Sequence, residues 1–149
     1  MIDNKLQALS KSAHSYFDFL FDGDFEIDQP RVDKNQKQQS SEYLATIVFS
    51  GEINGKYCFS ASEETLRTLL KQYGIEDTDN EQLLADISGE VANSILGNAK
   101  DYFEFEYEIS TPSISKNKRL ESVFEKDEVV YVIPIKLNGS KASVSITMQ

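Results

Sequence analysis

From Asn4 to Phe21 the apolar residues Leu6, Leu9, Ala13, Phe17 and Leu20 recur every three or four positions, which predicts an amphipathic helix with one face on a core. FDGDFEIDQPRVD then reads as a turn and a short strand, and DKNQKQQSSE as an exposed loop with little to bury. YLATIVFSGE and KYCFSAS are β-rich runs meeting around Asn54-Gly55, a pair suited to a tight hairpin because both residues adopt positive φ. A second helix opens on Ser60 with Glu63, or on Ser62, and runs through Leu66, Leu69 and Leu70 to a stop at Gly74. Thr78 and Glu81 have capping-box spacing and predict the start of a third, long helix that contains DISGEVANSILGNAK.

Beyond that helix the period changes from helical to two. In EFEYEIS, Phe105, Tyr107 and Ile109 share one face and Glu104, Glu106 and Glu108 the other, as in a strand with one wet side. VVYVIPIKL, a turn at Asn138-Gly139 and SKASVSITM form another hairpin, and Pro134, which has no N–H to donate, predicts an unpaired side or a bulge in its strand. The two hairpins share a strand, an Asn-Gly turn and a second strand, and each follows a long helix. This is the pattern of two α-β-β-β halves, or of hairpins that share turn chemistry.

Composition sets the remaining bounds. The 149 residues fit one domain, 1–149, with one core supplied with bulk by nine Phe and seven Tyr. A net charge of −10 disfavours nucleic acid and anionic membrane surfaces as partners. No signal-type or membrane-spanning apolar run is present, and a cytoplasmic protein is expected; the single Cys58 agrees with a reducing compartment. With His14 as the only histidine, no Ser-His-Asp, Cys-His or Cys/His metal set can be assembled, and no phosphate-cradling glycine pattern occurs. Chemistry here must come from carboxylates, amides and hydroxyls, or from a partner. No metal site of the chain's own is expected.

The third helix carries the one unusual pattern. At about 100° per residue, Leu84, Ile87, Val91 and Ile95 form a buried stripe, while Asp86, Glu90, Asn93 and Gly97 form a contiguous stripe on the opposite side. Glu90 and Asn93, at i and i+3, are neighbours on that surface. Polar residues outside a helix are ordinarily just solvated. Gly89 and Gly97 are harder to dismiss, because an interior glycine costs about 1 kcal/mol relative to alanine and a helix running past Lys100 needs neither for its end. A bare patch beside an acid and an amide suits the close approach of another protein's backbone.

Asp86, Glu90 and Asn93 make a D-x-x-x-E-x-x-N pattern that resembles the signature of the CheC/CheX/FliY chemotaxis phosphatases, and its single occurrence with a following glycine is most similar to CheX. The resemblance extends over most of the chain: the N-terminal helix, a G-x-x-x-G hairpin at Gly51 and Gly55, a helix opening SASEETLRTLL, the motif helix, and a strand followed by STPSI with Pro112. The interval from Asn93 to Pro112 is short for the family and implies a trimmed helix end. The resemblance implies an α+β, two-layer CheC-like fold, mostly antiparallel sheet with long helices on one face. It implies a phosphatase that accelerates loss of the aspartyl phosphate from a CheY-like response regulator, whose own pocket holds the Mg²⁺. Asn93 would hold the attacking water, Glu90 would pair with a lysine of the regulator's active site, and Asp86 and Gly97 would belong to the docking surface. It further implies a homodimer formed through sheet edges, for which SKASVSITM is a candidate strand. The competing expectation is a CheX-like interaction module that binds a response regulator or a flagellar switch protein without catalysis.

Overall fold

The computed structural model describes residues 2–33, 43–103, 106–119 and 122–148. Most of the polar run DKNQKQQSSE, and Glu104 and Phe105 of the alternating strand, lie outside the described residues.

Helix α1 (Ile2–Phe21) leads into the short strands β1 (Phe25–Ile27) and β2 (Arg31–Asp33). Strands β3 (Tyr43–Gly51) and β4 (Gly55–Ala61) form the first long hairpin, followed by α2 (Glu63–Gln72) and α3 (Glu81–Asn98). A 3-10 turn, Ala99–Tyr102, precedes β5 (Tyr107–Ile109), β6 (Ser113–Lys116), β7 (Val130–Leu137) and β8 (Ser140–Met148). The strands form one eight-stranded sheet in the order β1-β7-β8-β4-β3-β5, with β2 also on β7 and β6 also on β3. Every pairing is antiparallel. The expected α+β architecture, an antiparallel sheet with helices on one face, is the architecture found.

Alternation along the strands sorts the two faces. Tyr57, Phe59, Ile133, Ile135, Val144 and Ile146 point to the helical layer and join Leu9, Phe17, Leu66, Leu84, Val91 and Ile95 in the main core. The reverse face carries a smaller cluster of Leu44, Cys58, Val130 and Val132, closed by Phe124. The strand order has a symmetry that bears on the two-half pattern. The hairpins β3-β4 and β7-β8 meet at the β4–β8 pairing, and the short strands after α1 flank β7 while those after α3 flank β3. Each half therefore completes the sheet of the other.

Several local expectations change. Phe49 pairs with Gly55, so the first hairpin closes through a longer loop than a two-residue Asn-Gly turn. Gly55 is required for another reason: a Cβ there would overlap the Thr147 carbonyl of β8 and the Phe49 ring. The second hairpin does turn at Asn138-Gly139, both at positive φ, with Leu137 paired to Ser140. Strand β8 lies between β7 and β4 and is not an edge, so it cannot be the dimer strand expected for SKASVSITM. Pro134 sits where the flank of β7 changes from β2 to β1; its carbonyl points outward to accept from Asp28 N at 2.9 Å, the side on which no N–H is needed.

The helix starts follow the chemistry of the side chains nearest the first turn. Ser62 caps α2, accepting from Thr65 N at 3.1 Å. Helix α3 is capped by Asn80, which accepts from Gln82 N and Leu83 N, and not by Thr78. Its α-helical part ends at Asn98, earlier than a helix continuing past Lys100, and the 3-10 turn carries the chain on to Tyr102.

Candidate functional site

The motif helix is fixed from three directions. Below it, Leu84, Ile87, Val91 and Ile95 are buried against the sheet. From α1, Ser12 Oγ donates to the Ile95 carbonyl at 2.6 Å, and from β5, Tyr107 Oη donates to the Leu96 carbonyl at 2.6 Å. Both are buried bonds to carbonyls near the helix C-terminus, where backbone acceptors run short of partners. On the third side the segment after β5 closes over the helix. Ser110 N donates to the Val48 carbonyl at 2.9 Å while its Oγ accepts from Val48 N at 3.0 Å, so one serine bridges the gap between β5 and β6 on β3. Thr111 and Pro112 then lie alongside α3.

That packing revises the reading of the glycines. A Cβ on Gly89 would lie 3.3 Å from Ile114 Cδ1 and 3.6 Å from Pro112 Cβ, so Gly89 makes room for this chain's own β6. Gly97 lies in the last turn of α3, and a Cβ there would meet only Ile109 Cδ1, at 3.8 Å, an ordinary contact. Packing within the chain thus favours a glycine at position 89, while among the described residues Gly97 meets no such crowding.

The three motif side chains remain on the outside. Asp86, Glu90 and Asn93 are exposed along one face of α3, and with Ala85 and Gly89 they form one wall of an open groove whose other wall is the Ile109–Pro112 segment. Asp86 Oδ1 accepts from Gln82 Nε2 at 2.8 Å, and Glu90 Oε1 accepts from Ser94 Oγ at 3.0 Å, each one helical turn away. Asn93 makes no side-chain hydrogen bond among the described residues. Tyr16 of α1, within electrostatic reach of Glu90, is hydrogen-bonded to Tyr73 at the end of α2, their hydroxyls 2.6 Å apart. Burial chiefly, then the hydrogen bond to Tyr73, and also the nearby charge of Glu90 hold the Tyr16 hydroxyl far above its ordinary pKa.

Chemically, the face offers two carboxylates and one primary amide that makes no side-chain hydrogen bond among the described residues. Among the described residues, no three His, Cys, Asp or Glu side chains converge to hold a metal. Among the described residues Glu90 has no cation and the Asn93 amide no partner, and both are fitted to meet groups brought by another molecule. Sequence spacing placed Asp86, Glu90 and Asn93 on one face. It missed Gln82 and Ser94, although their i,i+4 relation to the two acids was readable, and it missed Tyr16 and Tyr73, which only the tertiary fold brings to Glu90.

Comparisons with known proteins agree with this geometry. The family described as chemotaxis phosphatase CheX matches residues 43–136, which include the first long hairpin, the whole motif helix and β7 as far as Lys136. No curated protein sequence matches the chain. Among solved structures, a CheC-like superfamily protein from Shewanella sp. PV-4 superposes with a TM-score of 0.82 at 16% identity, covering 98% of this chain and 97% of that one. The chemotaxis protein CheX from Vibrio vulnificus gives a TM-score of 0.81 at 16% identity, with 97% and 99% covered. A chain of the CheX–CheY–BeF₃–Mg²⁺ complex from Borrelia burgdorferi gives 0.74 at 20% identity, with 99% and 97% covered. These identities speak to the fold, and the family match spans well over half of the residues. With an antiparallel sheet, a motif helix exposing Asp86, Glu90 and Asn93, and the family match across them, the chain belongs to the CheX family of chemotaxis phosphatases.

Proposed function

We propose that this protein accelerates hydrolysis of the aspartyl phosphate of a CheY-like response regulator, with α3 inserted at the regulator's phosphorylation site. The observation that carries the reading is Asn93: an exposed amide on a rigidly held helix, flanked by two tethered acids and free of hydrogen bonds of its own among the described residues. Phosphoryl transfer asks a protein chiefly for positioning and charge stabilisation, and a water held in line by one amide meets the first demand. An amide both donates and accepts without changing charge, so Asn93 orients the water and leaves the charge balance of the transition state to the regulator.

Glu90, in this reading, pairs with a lysine of the regulator's active site and anchors the helix. It is not a general base. Asp86 and Gly97 extend the docking surface, and the Mg²⁺ belongs to the regulator; the Borrelia CheX–CheY complex contains BeF₃ and Mg²⁺. A homodimer, if formed through sheet edges, uses the short strands β1 and β2 or β5 and β6, since β8 is central. Equilibrium sedimentation giving only monomer would remove the dimer from this account.

The test is phosphate release from a phosphorylated receiver domain, run beside a binding titration. Wild type is expected to accelerate release, Asn93→Ala to abolish the acceleration, and Glu90→Ala to weaken association. Both variants should keep their stability to within about 0.5 kcal/mol, because these side chains are exposed. Binding without any change in phosphate release would identify a non-catalytic interaction module instead.

A further inference from the structure

We propose that Ser94 is a positioning residue: its hydroxyl holds the Glu90 carboxylate in the orientation from which it receives the partner's ammonium group. The inference rests on the docking role of Glu90 proposed above and assigns that role a second residue.

Serine and threonine inside a helix ordinarily turn back onto the carbonyl one turn earlier. Thr68 of α2 does this, its Oγ1 donating to the Glu64 carbonyl at 3.1 Å. Ser94 occupies the same i,i+4 relation to Glu90 but donates to the side chain, at 3.0 Å to Oε1. The hydroxyl is therefore directed at the one group on this face that the docking reading requires to be in place.

The geometry leaves the carboxylate usable. A carboxylate accepts at both oxygens, so a hydroxyl on Oε1 leaves Oε2 open to an incoming ammonium group. No ion pair engages Glu90 among the described residues, so its charge is not already matched within the chain. Ser94 itself is half-buried and starts from the helix backbone. A glutamate loses several rotamers when it is ordered by a partner, and a tether already present in the free protein removes part of that cost from binding.

The experiment is a titration of wild type, Ser94→Ala, Ser94→Thr, Glu90→Ala and the Glu90→Ala/Ser94→Ala double variant against a CheY-like receiver in its BeF₃–Mg²⁺ form, with kcat and KM measured on the phosphorylated receiver. Loss of the tether is expected to raise Kd and KM by roughly 3- to 10-fold, the scale of one immobilised side chain, with kcat unchanged. Ser94→Thr, which keeps the hydroxyl, should return both to near the wild-type values. In the Glu90→Ala background, Ser94→Ala should have no further effect. The inference is overturned, with the Glu90 reading intact, if Glu90→Ala raises Kd but Ser94→Ala does not, or if Ser94→Ala acts equally with and without Glu90. An unchanged Kd in Glu90→Ala overturns the docking role and the inference together. A receiver bound but not dephosphorylated refutes catalysis alone, because the Kd values still report on Ser94.

Discussion

Asn93 and Gly97 lie one helical turn apart on the outer face of α3, and they differ in what the fold asks of them. Among the described residues nothing needs Gly97: an alanine methyl fits against Ile109, and alanine in a helix is favoured over glycine by about 1 kcal/mol. Gly97→Ala should therefore raise thermal stability while lowering affinity for the receiver, if a partner's backbone approaches at that point. A rise in stability with unchanged affinity would make Gly97 neutral. Gly89 follows a different logic, because Pro112 and Ile114 come close enough that a Cβ there would be packed tightly against them. The two glycines look alike in sequence, where only their positions on the helix are visible. What separates them is packing by residues some 20 positions away, which no local pattern encodes.

Among the elements, boundaries followed side-chain chemistry that spacing alone ranked wrongly. Both Thr78 and Asn80 can cap α3, and Asn80 does, with its carbonyl oxygen accepting from two backbone amides at once. The buried stripe of α3 was legible because helical angle depends only on sequence separation, and the same arithmetic exposed Asp86, Glu90 and Asn93. The first hairpin was legible as two strands but not as a loop, because Gly55 is selected by a contact with β8, more than 90 residues further on in register with it at Met148. This yields a prediction at the same scale. Gly55→Ala should destabilise the protein by about 1–3 kcal/mol in chemical denaturation, since the added methyl strikes backbone and strands β4 and β8 must separate to admit it. An unchanged midpoint would show that the central strand pair yields more easily than its packing indicates.

For the molecule as a whole, the sheet is completed by exchange between halves, so the helical layer and the site on it depend on both halves at once. Cys58 reports on that integrity. It is fully buried on the reverse face, and burial pushes its thiol up to about 11, against weaker lowering by Ser60 and Thr46. The folded state thus favours the protonated thiol; this contribution is complete below the ordinary value of 9.0 and fades as pH rises through about 11. At pH 8 a thiol reagent should label Cys58 only as denaturant unfolds the chain, and rapid labelling of the native protein would contradict the burial described. The central claim concerns the other face. It is tested most directly by the first-order decay of a phosphorylated CheY-like receiver with Mg²⁺, alone, with this protein, and with its Asn93→Ala variant. The account predicts faster decay with the wild-type protein and a return to the receiver's own rate with Asn93→Ala; equal acceleration by the two proteins would contradict it.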